Sequence, residues 1–360
     1  VIIAVGTALR PLIRAGIRPQ IAVQVDSDPV TMKQFLDLDL SDIYLVSVIS
    51  AFPEVVRKFD DRIFGFSETL EECNEWLASF DCCQGHISIG GTVTLSAIDL
   101  AFHFRCDPVF VFGLDLSLKE DGTSHVGNSM YQGNKYPIEA HIPGNFKETV
   151  PATRQWASYV RIFDNYMSIV KKRTEATIYN VNTGGARIQH IPAILPTEAE
   201  TLISGDDLHA LDVVRRIHQD ADRPSAERVC KELQKAMTDV RKVKRIANEA
   251  VRHCSKAESK TSNNSQKSRE RQAKAFDKLK ECDEKLKGCT VGLQLVNAAV
   301  KSACMHLQSI NMTHATDDQI LAHSRTLYQQ IAGGADWLLG FMDSALKSLK
   351  SKKPKANGDS

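Results

Sequence analysis

A chain of 360 residues, 42% of them hydrophobic, can bury a full core and is long enough for two domains rather than one. Its formal net charge of +1 leaves no case for nucleic acid or an acidic membrane surface as partner, and no apolar run reaches the roughly 18 residues of a membrane span. The nine cysteines include an odd one and no CxxC pair around Cys82 and Cys83, and the opening residues lack the basic n-region of a signal peptide, so reduced thiols in a cytoplasmic protein are expected.

In chain order, residues 1–5 (VIIAV) read as a strand, and residues 8–13 open a helix that Gly16 closes just before Pro19. Residues 21–25 form a second strand that ends in Asp26, Ser27, Asp28 and Pro29, and residues 43–49 a third, followed by a helix around 53–59. Strands separated by helical segments predict βαβ units and a parallel sheet. A strand as the first element, with no lead-in, suggests a fragment whose preceding strand and loop are missing.

Residues 88–129 are the stretch around which the chain is organised. Gly90 and Gly91 form a turn that can bring backbone N–H groups close to a ligand, and Thr92 is a good N-cap for a helix running to about Arg105. Val93, Ala97, Leu100, Ala101 and Phe104 recur at helical spacing on it. Residues 108–112 (PVFVF) are a continuous apolar run, the pattern of a strand buried on both faces of a parallel sheet. Its carboxyl end delivers Gly113, Asp115, Ser117 and a polar loop to His125, and ligands of open α/β sheets bind outside such ends.

Residues 128–143 predict a long loop over that site. Residues 153–173 are helical, with Trp156, Val160, Phe163, Met167 and Val170 on a core stripe, and residues 176–181 make another strand that runs into Thr183, Gly184 and Gly185. Strand and glycine signals fade after Pro196. Residues 223–286 are dense in Lys, Arg, Glu and Ala, with Val229, Leu233, Met237, Val240 and Val243 at spacings of three and four, an amphipathic helix. The polar run 261–268 is either the turn of a helical hairpin or part of a continuous helix, further helices are expected at 291–310 and 317–349, and residues 350–360 should be disordered. The domains are therefore placed at 1–197 (α/β) and 198–349 (all-α), with a tail at 350–360.

Glycine turns that lead into helices suit phosphate, because free N–H groups and the helix dipole both favour anions. Carboxylates beside such a site bind ribose hydroxyls, hold a divalent cation or act as a base. Asp115 at the end of a buried strand must be hydrogen-bonded or functional, whereas a lone loop histidine such as His125 is more often a solvated side chain. Neither glycine pair matches a Walker A or a full GxGxxG motif.

Several segments in one order resemble a known family: Gly90-Gly91-Thr92-Val93, residues 109–112 with Gly113-Leu114-Asp115-Leu116, Asp121 to His125, and residues 180–188 (NVNTGGARI). They are similar to the motility accessory factor (Maf) flagellin glycosyltransferases and to the 6-hydroxymethylpterin diphosphokinase MptE-like proteins of the same domain family, and the likeness covers about residues 1–195. It implies a Rossmann-like α/β core related to sialyltransferases, followed by a helical region. The implied activity is transfer of a nonulosonic acid from its CMP-activated form to Ser or Thr of flagellin. The sequence departs from the family where a GxGPSL segment on a preceding strand is absent, and where Pro19-Gln20 replaces Pro-Asp.

The expected enzyme is thus a glycosyltransferase in which Gly90, Gly91 and Thr92 approach the donor phosphate, Thr183, Gly184 and Gly185 line the nucleotide or sugar, and Asp26, Asp28 and Ser117 add polar contacts. Asp115 and His125 serve as acid and base in either order. The CMP-activated nucleotide sugar is a donor substrate; no resident cofactor is assigned, and a divalent metal stays open. One alternative is MptE-like pyrophosphoryl transfer from ATP to a pterin, with Mg²⁺ on Asp26, Asp28 and Asp115; another is a non-catalytic flagellin-binding module.

Overall fold

The computed structural model describes residues 1–67, 76–80, 85–88, 90–124, 129, 131–203, 209–258, 266–308, 310 and 315–351. The chain divides into two compact units, one of residues 1–69 and 83–221, the other of 70–82 and 222–360.

The first unit opens with a parallel sheet of β1 (Ile3–Val5), β2 (Ile21–Gln24), β3 (Tyr44–Val48) and β4 (Ile63–Phe66) in that spatial order. Ala4 pairs with Ala22, Val23 with Val46 and Ser47 with Gly65. The connections are α1 (Gly6–Arg14), α2 (Met32–Phe35) and α3 (Pro53–Arg57). Every residue of β2 and β3 is buried, because one face packs on Leu9, Phe35, Val55 and Phe59 and the other on Leu100 and Val214. Each such fully buried side chain contributes roughly 1.5–3 kcal/mol. The Gln20 side chain, where the family has an acid, accepts from the Ile2 N–H at 2.7 Å and donates to the Arg18 carbonyl at 3.3 Å, so this position ties β1 to the turn before β2.

Next come α4 (Val93–His103), β5 (Val109–Phe112), the antiparallel hairpin β6 (Ala140–Pro143) and β7 (Thr149–Ala152), α5 (Arg154–Val170), β8 (Ile178–Val181) and β9 (Ala193–Ile194). β5, β8 and β9 form a second parallel sheet, with Phe112 opposite Val181. α4 packs on β1 and β2 of the first sheet and on β5 of the second, burying Leu95, Ile98 and Ala101 with Val109, Val111, Phe163 and Met167. Two expectations need correction here, and one strand went unread. β5 is buried on one face only: its side chains alternate, so Val109 and Val111 point into the core, while Phe110 stacks on Tyr179 at 5.7 Å and Phe112 is 63% exposed. Residues 140–143, read as loop, pair with β7. β4 carried no signal recognised in the sequence.

The boundary also moves. α6 (Pro196–Leu202) and α7 (Ala210–Asp220) belong to the first unit rather than to the helical one. α7 lays Leu211, Val214 and His218 on the sheet; the His218 ring donates to the Asp61 carbonyl at 2.6 Å and meets Tyr44 and Phe64 edge-on at 5.0 and 5.3 Å.

The second unit contains α8 (Ala226–Glu258), α9 (Gln266–Lys287), α10 (Thr290–Gln308) and α11 (Asp317–Ser351). α8 is the spine on which the other three pack. Leu233, Met237, Val240 and Val243 are buried as their spacing predicts. α8 and α9 pack on each other from either side of residues 259–265, which lie outside the described residues, as do residues 352–360 of the expected tail. Trp76 of the earlier segment packs on this same core, its ring 4.9 Å from Phe80, and Arg228 donates to the Ser79 carbonyl at 3.0 Å. Among the described residues, six cysteines are free thiols; burial pushes the Cys254 thiol up to about 11 and also raises Cys282 and Cys289, leaving them inert. Cys73, Cys82 and Cys83 lie outside the described residues. Among the described helices none is long and apolar enough to cross a membrane.

Candidate functional site

The candidate residues fall at the carboxyl ends of β2, β5 and β8 and at the N-terminus of α4. The β5 end is the most constrained. Gly113 and Leu116, on either side of Asp115, have φ of +77° and +45°; for leucine this left-handed conformation costs roughly 1–2 kcal/mol. The neighbouring strand holds the turn in place. Asn180 Nδ2 of β8 donates to the Leu114 carbonyl at 3.0 Å, and the Ala186 N–H donates to the Asp115 carbonyl at 2.7 Å. Gly185, at φ +81°, lies so close that a Cβ there would stand 2.9 Å from both Asp115 Cα and its carbonyl oxygen. Asp115 itself is solvent-exposed, and partial desolvation by the surrounding turn raises its carboxyl above the ordinary 3.8.

The structure therefore brings Asp115 together with Gly184 and Gly185. Asn145, between β6 and β7, seals that turn: its side chain donates to the Gly184 carbonyl at 2.9 Å and its N–H to the Gly185 carbonyl at 3.0 Å. Thr183 is exposed beside it and Ser117 is half-buried. Beyond Ser117 the loop is ordered by Asp121, which accepts from the Thr123 N–H at 3.0 Å and its hydroxyl at 2.6 Å. His125 lies outside the described residues.

Two further side chains enter here. Asn182, at the end of β8, is 8% exposed, and neither Nδ2 nor Oδ1 has a hydrogen-bond partner; Asn180 Oδ1 is likewise unpartnered. A buried polar group left in this state costs roughly 1–3 kcal/mol, and such groups call for an explanation. Asn182 belongs to the NVNTGG motif, but its burial is set by tertiary packing that spacing alone does not reveal.

The Gly90-Gly91 turn has different neighbours. A Cβ on Gly90 would meet Leu95 at 2.9 Å and Ile162 at 3.0 Å, and Gly91, at φ +75°, faces Tyr159. Thr92 caps α4, accepting from the Thr94 N–H at 3.4 Å. Asp99 secures the approach: it accepts from the Ser88 N–H at 2.6 Å and from the Tyr166 hydroxyl in a short bond. Burial and that bond raise the Tyr166 pKa, so the phenol stays neutral. The glycines are thus explained by α5 packing as well as by any anion at the helix N-terminus.

At the β2 end, Asp28 accepts from the Val30 N–H at 2.8 Å and so caps the short turn that follows. Desolvation, then the charge of Asp28, raises the Asp26 carboxyl. Tyr131, from the loop that begins at Asp115, hydrogen-bonds Gln34 and lies within electrostatic reach of Asp26 and Asp28; desolvation raises its pKa. Gln34 Oε1 fills the space a side chain on Gly6 would need, 2.0 Å from that Cβ position. The polar loop therefore reaches from the β5 end back to the β2 end, and Tyr131 joins the candidates. Among the described residues no three His, Cys, Asp or Glu side chains converge as a metal site requires. The expectation that Asp26, Asp28 and Asp115 grip one cation together does not match their placement.

Residues 1–121 match the family described as 6-hydroxymethylpterin diphosphokinase MptE-like. Among solved structures, a Maf glycosyltransferase from Magnetospirillum magneticum AMB-1 is similar, with a TM-score of 0.54 and 14% identity over 97% of this chain and 51% of that one. At this identity the likeness shows the fold, and the chain spans about half the length of that structure. No curated protein matches the chain. The chain thus resembles the Maf and MptE-like family in both respects, with an MptE-like segment at residues 1–121 and an α/β-then-helical fold shared with a Maf glycosyltransferase.

Proposed function

We propose that the chain is the catalytic part of a glycosyltransferase that moves a nonulosonic, sialic-acid-like sugar from a CMP-activated donor to Ser or Thr hydroxyls of flagellin, supporting flagellum assembly and motility. The observation that carries this reading is Asp115, an exposed carboxylate of raised pKa on a backbone fixed from both sides. Such a group suits proton abstraction from an acceptor hydroxyl. The acceptor oxygen bonds the anomeric carbon as its proton passes to Asp115, and the bond from that carbon to the phosphate oxygen breaks, releasing CMP. The leaving phosphate is stabilised by N–H groups at the α4 N-terminus, around Gly90 to Thr92, and by His125. Thr183 to Gly185 line the nucleotide sugar, with Asp26, Asp28 and Ser117 as further polar contacts, and the helical unit holds flagellin in the cytoplasm.

The test is the intact mass of flagellin from cells that carry the wild-type protein or Asp115→Asn. Wild type should add mass in sugar-sized steps and the variant should not; unchanged mass in both discards the transferase reading. A second reading, pyrophosphoryl transfer from ATP to a hydroxymethylpterin, is favoured by the description of the family that matches residues 1–121. It needs Mg²⁺, for which Asp26 and Asp28 at the β2 end are the candidate ligands. Thermal stabilisation separates the two: a larger shift with ATP and Mg²⁺ than with CMP supports the kinase.

A further inference from the structure

We propose that Asn182 and Asp115 together form a subsite for a vicinal diol of a sugar ring. The two residues leave adjacent parallel strands side by side, since Phe112 and Val181 are in register at the ends of β5 and β8. They meet at Gly185: a Cβ there would stand 2.9 Å from Asp115 Cα and 3.3 Å from Asn182 Nδ2. Asn182 is more than nine-tenths buried with both amide atoms unpartnered, and exposed Thr183 and Asp115 flank it at the surface.

The donor and acceptor inventory selects the ligand. Asn182 offers an N–H donor beside a carbonyl acceptor, and the Asp115 carboxylate only accepts. Phosphate, which also only accepts, would face two acceptors here and be repelled. Two neighbouring hydroxyls match the set, because each donates and accepts. One hydroxyl donates to an Asp115 oxygen while accepting from Nδ2–H; the other donates to Oδ1. The second Asp115 oxygen stays free for the acceptor's proton, so this inference deepens the transferase reading and rests on it for the identity of the ring. The diol is either the ribose of the nucleotide or hydroxyls of the transferred sugar.

Calorimetric titration of the 360-residue chain with CMP, 2′-deoxy-CMP and free N-acetylneuraminic acid tests this. If the ribose is held, wild type binds CMP about tenfold more tightly than the deoxy form, and Asn182→Ala lowers CMP to the deoxy level. If the transferred sugar is held, the two nucleotides bind alike and Asn182→Ala weakens N-acetylneuraminic acid by about tenfold. Because the amide has no partner, Asn182→Ala should melt no lower than wild type. Should it fail to fold, the near-isosteric Asn182→Asp, which lacks the donor, is expected to show the same losses. Unchanged binding of all three probes in the variant, or no binding of any probe by wild type, overturns the subsite. Unchanged binding in the variant while flagellin still gains sugar removes the subsite and leaves the transferase; the tenfold loss with flagellin unmodified does the reverse.

Discussion

The helical unit and the paired ends of β5 and β8 follow opposite rules. In the helical unit sequence spacing and burial agree, the unpartnered Trp76 Nε1 aside: α8 places Val240, Val243, Ala247 and Ala250, all fully buried, at helical spacing against α9, α10 and α11. Its charges also find partners between helices, Lys244 with Asp336 at 2.5 Å and Arg325 with Glu258 at 2.6 Å. At the strand ends the local rules are broken in several ways. Leucine adopts a left-handed conformation, an asparagine is buried without partners, and a carboxylate is partly desolvated. Such departures persist only where surrounding structure enforces them, and they mark chemistry more than stability.

Substitutions sharpen this contrast. The largest effect is expected from Asp115→Asn, which should lower transfer about 10²–10⁴-fold, the range for a lost general base, while leaving the folded protein intact. A wild-type rate in that variant would make Asp115 a structural acid. Next, Leu279→Ala in the helical core should cost about 2–5 kcal/mol of stability without altering donor affinity below the melting transition. Loss of donor binding in this variant, measured while it is still folded, would erase the division between the regions.

Gly185→Ala combines a left-handed φ with contact against the Asp115 backbone, and should cost about 2–4 kcal/mol. Gly184→Ala, with open space at its Cβ position, should stay within about 0.5 kcal/mol of wild type. Equal urea midpoints for the two would remove the close approach from the argument. The smallest effect concerns pH. Because desolvation raises the Asp115 pKa in the fold, the charged form is the one the fold disfavours; the penalty is full above the folded pKa and absent below about 3.8, where the group is neutral folded or unfolded. Asp115→Asn should therefore melt slightly higher than wild type at pH 7, and the gap should close as pH falls toward 3.8. A gap that widens on acidification would contradict the sign of the shift.

Much of the architecture was legible in the sequence. β1, β2, β3, β5 and β8 follow from apolar runs, and Thr92 and Thr153 cap α4 and α5 as such residues should. The Asp115 and Gly184-Gly185 segments were readable as strand ends, but their contact was not, because it depends on the pairing of β5 with β8 across a long intervening sequence. Phe112 misled for a related reason: an unbroken apolar run does not say which face will be covered. The helical boundary was misplaced because α6 and α7 have the composition of the later helices, and only the docking of Val214 and His218 on β3 and β4 assigns α7 to the sheet. Tyr131 carried no motif, and the motif that contains Asn182 did not show that its side chain is buried without partners.

The early aromatic segment of the helical unit has a consequence for synthesis. Trp76 and Phe80 leave the ribosome long before α8, and α11, which packs most extensively on α8, is made after α8, α9 and α10. Until those helices emerge, the growing chain thus carries a tryptophan whose packing partners are not yet made. Transiently exposed apolar surface of this kind favours aggregation, so ribosome stalling before α11 is expected to be more hazardous than stalling after it.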